Sequence, residues 1–449
     1  MDTDARQSQR DQRYTAIASM WQMRAESGVV IHPMQAAVDA AANLGLDVED
    51  ARALLDRAAK LYHDGAYDGL LVCSAKINRI LRRELAKIRE DEPATWDEYR
   101  RTLPDNVQHP PLDALPQDYA DRVRGAWLGK CIGTALGDPV EGWTRKAIQE
   151  TYGRIDRYVR PPQTENDDTA YPILVLHALD EYGMGFTSED LALEWLAHLP
   201  FAYTAEQTAL DNIRAGVMPP ESRWHGNPCG AWVGAQMRGE VHGLIAPGRP
   251  DVAAEFAFRD AILSHYREGV DGEIYTAAAV SLAFRKLPVD QLLREALRYV
   301  PASSPIAETV EQTMDWCRQY GDWRPVIEKI EGAMARFHWI HALPNLACAV
   351  CGLILGEGEF ESTILTTLAC GYDTDCSTGQ AGALAGTALG PDGIPEVWRR
   401  PIGDALDTYV IGFERIELDR LVDWTVDWGR RILAPPGAGE GRSPEGGTR

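Results

Sequence analysis

The sequence predicts an all-α protein in which a large helical domain follows an N-terminal helical extension. Apolar residues recur at helical spacing along most of the chain, and segments that alternate apolar and polar residues, as strands do, are nearly absent. The chain has 449 residues, of which 45% are apolar and 25% charged. This composition is typical of a globular protein and excludes disorder throughout.

Composition divides the chain into four parts. Residues 1–92 form the helical extension, with apolar positions at i, i+3, i+4 and i+7. Residues 93–117 contain five prolines and are expected to form an extended, Pro-rich linker rather than a helix. Residues 118–434 form the main domain. Residues 435–449, PPGAGEGRSPEGGTR, have the composition of a disordered tail.

Apolar periodicity also places helices within the main domain. The predicted helical segments are 119–136, 168–183, 188–199, 251–266, 274–286, 290–299, 345–354, 360–370 and 376–389. The main domain is therefore expected to be predominantly helical.

The net charge of −22 disfavours two classes of function. Proteins that coat nucleic acid or anionic membranes need positive surfaces, whereas this chain has 45 basic and 67 acidic side chains. No apolar stretch approaches the ~18 residues that indicate a membrane-spanning helix. The charged N-terminus also lacks the apolar core of a signal peptide. We therefore expect a cytoplasmic protein without a membrane partner.

The eight cysteines indicate reduced thiols rather than a disulfide framework, because they are sparse and most lie in apolar helical segments. Cys348 and Cys351 form a C-x-x-C pair, but no second pair completes a zinc site. Their apolar neighbours favour core packing over metal binding or redox chemistry.

An acidic cluster interrupts the apolar pattern where one predicted helix begins. It contains Glu165, Asp167 and Asp168, with Asn166 between them. One such side chain would be enough to cap the helix. Three carboxylates within four residues repel one another, so a bound cation is the alternative explanation.

A second acidic pair, Asp373 and Asp375, precedes a helix rich in Gly and Ala and is followed by Cys376. Small residues let neighbouring helices approach closely, so these carboxylates should lie beside tightly packed helices. Buried carboxylates are costly unless a positive charge compensates them. Oxygen ligands suit Mg²⁺, Mn²⁺ or Ca²⁺ rather than zinc. Together the two clusters predict a shared site for a hard metal ion.

Four motifs in the chain resemble, in order, those of the ADP-ribosylglycohydrolase family, which includes the dinitrogenase-reductase activating glycohydrolases. They are DRVRGAWLGKCIGTALGDPVEG (121–142), ENDDTA (165–170), HGNPCGAWVGAQMRG (225–239), and the run from HALPNLACAVCGLILGEGEFESTI to GYDTDCSTGQAGALAGTALG (341–390). Ile394-Pro395 followed by Trp398 also fits the family's usual ending. The resemblance covers about residues 118–400 and does not extend to the first 117 residues.

The resemblance implies a compact, orthogonal arrangement of a dozen or more helices around two Mg²⁺ ions, or Mn²⁺ ions in their place. The implied metal ligands are Asn166, Asp167, Asp168, Asp373, Asp375 and Cys376. The family usually has Thr where Asn166 stands, and Thr or Ser where Cys376 stands. An amide oxygen can replace a hydroxyl as a hard ligand, whereas sulfur is a poor ligand for Mg²⁺.

The resemblance also implies residues that act on the substrate. Glu141 matches a glutamate near the scissile bond and is, with Asp375, the implied catalytic pair. The implied substrate-binding residues are His225, Gly226, Asn227, His265, His341 and Asn345. A turn acid and a core histidine are the structural alternatives for Glu141 and His265.

The resemblance implies a metal-dependent hydrolase that cleaves the N- or O-glycosidic bond at ribose C1 of an ADP-ribosylated protein or small ribosyl substrate and releases ADP-ribose. ADP-ribose is anionic, so the acidic domain needs locally positive features; the metals, loop amides, Arg223 and Arg238 are candidates. The alternatives are a hydrolase of a small nucleoside or other N-riboside, a non-catalytic ADP-ribose-binding member of the family, and a partner-recruiting role for the N-terminal helices.

Overall fold

Helices make up most of the protein. The computed structural model describes residues 3–104, 109–110, 112 and 114–434. Before the main domain, the elements are α1 (Thr3–Trp21), β1 (Met23–Arg24), β2 (Val30–Ile31), α2 (Pro33–Asn43), α3 (Glu49–His63), α4 (Tyr67–Leu85) and α5 (Trp96–Arg100). The two strands pair antiparallel as a short hairpin.

The main domain contains all the remaining elements. Its first half comprises α6 (Tyr119–Gly137), α7 (Arg145–Tyr152), α8 (Asp167–Tyr182), α9 (Ser188–His198), α10 (Thr204–Arg214), α11 (Glu240–Ile245), α12 (Pro250–Ala261) and α13 (Glu268–Ala283). Its second half comprises α14 (Val289–Ala296), α15 (Pro305–Tyr320), α16 (Trp323–Met334), α17 (Ala342–Leu355), α18 (Phe360–Ala369), α19 (Thr374–Leu389), α20 (Glu396–Ile402), β3 (Ala405–Asp407), β4 (Arg415–Glu417) and α21 (Leu418–Leu433). The predicted all-α fold class is confirmed.

Helices α6 and α19 run antiparallel with their backbones in direct contact, and this is the most extensive helix pair in the described part of the chain. Glycines recur at every fourth position of α6, which presents one flat face to α19. At Gly129, for example, a Cβ would overlap the carbonyl oxygen of Gly382. The same relation holds for the pairs Gly125–Gly386, Gly133–Thr378 and Gly137–Thr374. Side chains larger than hydrogen would therefore separate the two helices.

This antiparallel contact places the C-terminal end of α6 beside the N-terminal end of α19. The hydroxyl of Thr374 donates to the carbonyl oxygen of Gly137 at 2.8 Å and joins the two ends. The other face of α19 packs against α17 and α18, while α6 packs against α21. Both central helices are consequently buried along nearly their whole length.

The N-terminal extension has a small core of its own. Helices α1–α4 enclose an apolar cluster that includes Trp21 and Ile77. A second cluster joins the extension to the main domain, because Leu85 of α4 contacts Trp224 and Tyr266 there. The extension therefore packs on the main domain, and the division at residue 92 stays a prediction.

The sequence predicted an extended Pro-rich segment, but the structure shows a short helix within it. Residues 96–100 form α5, which lies between Pro93 and Pro104, so no proline interrupts it. A capping box between Thr95 and Glu98 satisfies the first backbone N–H groups of this short helix. The hydroxyl of Tyr99 donates to Asp271 of α13 at 2.7 Å, and the Tyr99 side chain is buried. The segment thus contributes to the packing of the domain.

All nine predicted helical segments of the main domain contain a helix. The largest shift is at α13, which begins at Glu268 rather than at residue 274. Seven further helices were missed: α7, α10, α11, α15, α16, α20 and α21. Two of them, α15 and α16, carry Pro305 and Pro325 in the first turn, where a proline removes no helical hydrogen bond.

The cysteines and the chain ends complete the comparison with the sequence. All eight cysteines lie in the described ranges and are free thiols, and Cys348 and Cys351 are buried in α17. No helix of the described ranges is long and apolar enough to cross a membrane. The predicted disordered tail, residues 435–449, lies outside the described residues.

The helix contact can be tested by adding one methyl group. We expect Gly129→Ala to lower the free energy of unfolding by about 1–3 kcal/mol or more, because the methyl group must displace the α19 backbone. The measurement is urea unfolding followed by circular dichroism.

The matched control for this variant is Gly332→Ala on α16, where no described atom lies within 4 Å of the added methyl group. It should stabilise the protein by up to about 1 kcal/mol, the helix propensity of Ala over Gly. Equal effects of the two substitutions would contradict the proposed role of the α6–α19 contact.

A pH dependence follows from the contact between α5 and α13. Burial raises the pKa of Asp271 from 3.8 to about 8, so the folded protein holds this proton more tightly than the unfolded chain does. Its stabilising contribution is complete below about pH 4 and is lost as the pH rises through about 8. Asp271→Asn removes this loss and keeps an oxygen for the Tyr99 hydroxyl.

We therefore expect the unfolding free energy of Asp271→Asn, relative to the wild type, to rise between about pH 5 and pH 9. The rise should reach at least about 1.4 kcal/mol, the equivalent of one pKa unit. Asp56→Asn, which changes an exposed carboxylate on α3, is the control and should show no such rise. A pH-independent difference for Asp271→Asn would contradict the burial argument.

Candidate active site

Two helix N-termini bring the predicted acidic motifs together. Asp167 and Asp168 begin α8, and Asp373 and Asp375 lie at the start of α19. Ligand atoms of Asp168, Asp375 and Cys376 lie within 4.8 Å of one another, and so do those of Glu141, Asp373 and Asp375. Asp375 belongs to both groups. We call the first group position A and the second position B.

Backbone hydrogen bonds hold Glu141 beside the second acidic motif. The N–H of Gly142 donates to the carbonyl oxygen of Tyr372 at 2.8 Å. The N–H of Tyr372 donates to the carbonyl oxygen of Trp143 at 3.2 Å. Tyr372 adopts a φ of +67°, which turns the chain sharply before Asp373. Residues far apart in the sequence thereby form one wall of the site.

Asn345 and His341 position the second motif. The Asn345 side-chain oxygen accepts the N–H of Asp373 at 3.0 Å, and its NH₂ group donates to the carbonyl oxygens of Trp339 and His341. His341 caps α17 by accepting the N–H of Leu343 at 3.3 Å. Both side chains are buried. These two residues were predicted to bind substrate, but in this structure they orient the loop that carries Asp373.

Asn166 also has a positioning role. Its side-chain oxygen accepts the N–H of Asp168 at 2.8 Å as the N-cap of α8, and its NH₂ group donates to Asp375 at 3.2 Å. The oxygen that was predicted to bind a metal is therefore used by the helix. The same side chain connects the two acidic motifs.

Lys130 of α6 supplies a positive charge inside position A. Its ammonium group lies 2.7 Å from Asp168 and 3.1 Å from Glu240, and it also contacts the carbonyl oxygen of Met237. Burial opposes the charged form, but the neighbouring carboxylates of Asp168 and Glu240 raise the pKa of Lys130. An ammonium group therefore already compensates Asp168.

Cys376 completes position A as a thiol. Its S–H donates to the second carboxylate oxygen of Asp168 at 3.3 Å, and burial raises the pKa of this thiol well above its usual value. Both oxygens of Asp168 thus already have a partner. The donors at position A do not fit a Mg²⁺ ion well, because a neutral thiol is a soft and weak ligand.

The remaining carboxylates lack such compensation. Burial and the nearby charges of Asp375 and Asp167 raise the pKa of Glu141 to about 9. Burial raises the pKa of Asp373 well above its usual range, and Asp375 and Glu141 add to the effect. Crowded carboxylates of this kind retain protons unless a cation joins them.

Position B fits a hard divalent cation. Its three side chains offer carboxylate oxygens, which are the ligands that Mg²⁺ and Mn²⁺ prefer. Within the described chain, one carboxylate oxygen of Asp375 is buried without a hydrogen-bond partner. A cation at position B would satisfy that oxygen and lower the pKa of Glu141 and Asp373. Asp167 belongs to neither group, and its carboxylate accepts the N–H of Asp168 at 3.2 Å.

The predicted substrate-binding role of Asn227 and His265 is not supported, because both side chains are fully buried. The side-chain amide of Asn227 donates to the carbonyl oxygens of Ala205 and Ser264 and accepts the N–H of Cys229. All three hydrogen bonds stabilise the loop. Burial lowers the pKa of His265 well below its usual value. A substrate cannot reach either side chain in this structure.

Two other predicted residues, the exposed His225 and the partly buried Gly226, form the turn that precedes Asn227. Gly226 has a φ of +72° and lies under the guanidinium group of Arg82 from α4. The N-terminal extension therefore covers this turn.

Neither arginine considered for an anionic substrate is accessible. Arg238 is fully buried, with carboxylates of Glu206 and Asp260 at 3.3 and 3.1 Å. Arg223 is 2% exposed and donates to the carbonyl oxygen of Pro93 at 2.7 Å. Neither arginine thus offers its charge to a substrate in this structure.

The structure adds residues that sequence reasoning missed. Phe201, Tyr203 and Tyr409 form an aromatic rim, in which the Phe201 and Tyr409 rings stack with centroids 4.7 Å apart. Burial raises the pKa of Tyr203 to about 12, and the charges of Asp167, Glu26 and Glu141 add to this effect. Phe201 and Tyr203 are nonetheless 41% and 49% exposed. In the sequence, the signal that could have indicated this rim was two aromatic residues close together in a loop.

The β1–β2 hairpin of the extension also reaches the site. The indole N–H of Trp143 donates to the carbonyl oxygen of Ser27 at 3.2 Å, and Arg160 lies 4.0 Å from Glu26. The side chain of Val29 lies against Gly142, next to Glu141. Nothing in the hairpin sequence signalled this placement, because it depends on how the extension packs.

Comparison with known proteins identifies the family and the fold. The sequence profile described as ADP-ribosylglycohydrolase matches residues 115–431. An uncharacterized protein of Archaeoglobus fulgidus is 24% identical over 297 residues, which are 63% of this chain and 92% of that protein. The uncharacterized protein YegU of Escherichia coli is 25% identical over 311 residues, which are 61% of this chain and 89% of that protein.

A solved structure of an ADP-ribosylglycohydrolase-related protein complex has the same fold. It covers 71% of this chain and 100% of its own chain with a TM-score of 0.53 and 22% identity. This likeness concerns the fold alone, whereas the family profile spans most of the sequence. The chain belongs to the ADP-ribosylglycohydrolase family.

Proposed function

We propose that the protein hydrolyses the N- or O-glycosidic bond at ribose C1 of an ADP-ribosylated substrate and releases ADP-ribose. The observation that carries this proposal is the convergence of Glu141, Asp373 and Asp375 at position B. Cleavage at C1 develops oxocarbenium-like positive charge on the ribose, and preorganised carboxylates stabilise such charge. Membership of the family supports a glycohydrolase reaction.

Glu141 is the proposed general base. It lies at the end of a loop held by backbone hydrogen bonds, so its carboxylate has a defined position beside Asp373 and Asp375. It would accept the proton of the water whose oxygen attacks C1, while the bond from C1 to the leaving nitrogen or oxygen breaks. Asn345 and Asn166 hold Asp373 and Asp375 in place, and these two carboxylates would position the ribose.

We propose Mg²⁺, or Mn²⁺ in its place, as the cofactor, with Glu141, Asp373 and Asp375 as its ligands. When bound, such an ion supplies a positive charge that binds ribose hydroxyls and lowers the pKa of water. The resemblance implies two ions. Position B supports one ion, whereas position A argues against a second, because Lys130 and Cys376 already contact the two oxygens of Asp168.

The aromatic rim supports a substrate with a flat base. Phe201 and Tyr203 expose their rings next to the acidic cluster, and aromatic faces of this kind stack on nucleobases. The adenine of an ADP-ribosyl group has this shape. The rim therefore supports a nucleotide-bearing substrate over a simple sugar.

The β1–β2 hairpin favours a second candidate, the hydrolysis of a small N-riboside. Ser27 and Val29 contact Trp143 and Gly142 beside Glu141, so the extension borders the site there. We infer that a site bordered in this way admits a nucleoside more readily than a modified protein. Release of free base from nucleosides, without turnover of ADP-ribosylated peptides, would select this candidate. Tight ADP-ribose binding without hydrolysis would instead indicate a non-catalytic member.

We expect Glu141→Gln to lower the rate of ADP-ribose release about 10²- to 10⁴-fold, the usual effect of removing a general base. The measurement is chromatography of the products from a panel of ADP-ribosylated peptides and free nucleosides. Glu150→Gln on the exposed face of α7 is the control and should retain the wild-type rate. A wild-type rate for Glu141→Gln would exclude this glutamate as the base.

We expect Mg²⁺ to raise the melting temperature of the wild type, because a ligand that binds only the folded state stabilises it. EDTA should reverse the shift, and Asp373→Asn should abolish it. Manganese titration followed by electron paramagnetic resonance should count one ion per chain that Asp373→Asn removes, at position B. The control is Glu165→Gln, an exposed acid beside the cluster that should leave the count unchanged. The loss of two ions of similar affinity in Asp373→Asn would contradict the assignment of position A to Lys130.

A further inference from the structure

A second group of metal-ligating side chains lies outside the acidic cluster. His177 belongs to the C-terminal half of α8, and Glu194 and His198 face it from one side of α9 with a spacing of four residues. Their potential ligand atoms lie within 4.8 Å of one another. The family resemblance assigns no role to these three residues.

The distances suit a small cation. One oxygen of Glu194 lies 2.5 Å from Nδ1 of His177 and 3.4 Å from Nε2 of His198. In a tetrahedral Zn²⁺ site with ligands at about 2.0–2.1 Å, neighbouring ligand atoms are about 3.3 Å apart. The His198–Glu194 distance already has this value. The His177–Glu194 distance needs to lengthen by less than about 1 Å, which a side-chain rotation can supply.

The tautomer of His198 is determined by its other nitrogen. Nδ1 lies 2.7 Å from the carbonyl oxygen of Ile411. A carbonyl oxygen only accepts hydrogen bonds, so Nδ1 carries a hydrogen. Nε2, which lies 3.4 Å from Glu194, is the nitrogen that can bind a cation. A histidine that donates one N–H to a backbone carbonyl and offers the other nitrogen is typical of zinc ligands.

A proton alone satisfies only part of this cluster. Without a cation, Nε2 of His198 can form a favourable contact with the carboxylate of Glu194 only by carrying a second proton. A divalent cation accepts lone pairs from all three side chains at once. The ring of Phe413 packs against both imidazoles, with centroids 5.2 and 5.6 Å away, and forms an apolar wall on one side.

The cluster remains open to solvent on its other side. The side chains of His177 and His198 are 23% and 20% exposed, whereas that of Glu194 is 6% exposed. A water molecule can therefore reach the fourth coordination position. Two imidazoles and one carboxylate are a common ligand set of Zn²⁺.

We propose that His177, Glu194 and His198 bind one Zn²⁺ ion at a site separate from the acidic cluster. The ion would join α8, which begins with Asp167, to α9. Through the hydrogen bond of His198 to Ile411, it would also hold the β3–β4 loop, in which Tyr409 forms part of the aromatic rim. The ion would thus stabilise the position of the β3–β4 loop beside the candidate active site.

The test is a titration of the full-length, untagged protein with Co²⁺ in saturating Mg²⁺, since four-coordinate Co²⁺ absorbs visible light. We expect one equivalent to bind to the wild type and to Asp375→Asn, and Zn²⁺ to displace it. His177→Ala and His198→Ala should each weaken binding at least about tenfold. His63→Ala, which removes an exposed histidine on α3, is the matched control and should bind like the wild type.

Three results would overturn the proposal: no four-coordinate Co²⁺ spectrum in the wild type, unchanged binding in His177→Ala and His198→Ala, or a signal lost only in Asp375→Asn. Should the alanine variants fail to fold, Glu194→Gln keeps the shape of the side chain and removes its charge. Zn²⁺ should then raise the melting temperature of the wild type but not that of Glu194→Gln. An equal shift in both proteins would contradict the site.

Discussion

The backbone contact between α6 and α19 is the constraint on which the rest of the structure depends. Four glycines on α6 let the two helices lie side by side, and the antiparallel direction brings Gly137 against Thr374. Glu141 follows the end of α6, and Asp373 and Asp375 flank the start of α19. The carboxylates of position B therefore converge because two helices touch, and any increase in helix separation would move Glu141 away from its partners.

That convergence creates an electrostatic problem that the protein solves in two ways. At position A an internal cation, Lys130, neutralises Asp168, and the thiol of Cys376 uses the second oxygen. At position B no such cation is present among the described residues, and the pKa of Glu141 rises to about 9. Buried charge needs either a built-in partner or a bound one. The two halves of the cluster thus differ in how much they require a metal ion.

The N-terminal extension takes part in the site although it lies outside the family match. Its helices have their own core, yet the hairpin places Ser27 against Trp143, and Arg82 covers Gly226. The candidate site is therefore bordered by a part of the chain that lies outside the family match. Because the extension borders the site without supplying the carboxylates of position B, it is placed to change substrate selection.

The sequence by itself determined the helical class, nine helices of the main domain and the acidic motifs, because helical periodicity and N-terminal carboxylates are local patterns. Only the tertiary structure decided which polar residues face the site. Asn227 and His265 are buried by packing, whereas Lys130 reaches Asp168 because α6 passes beside α8, and no local pattern encodes either outcome. Likewise the sequence contains the capping residues of α5, Thr95 and Glu98, but only the tertiary structure shows that this helix packs on α13 through Tyr99 and Asp271. Contacts between distant segments are set by the packing of whole helices, which residue spacing does not reveal.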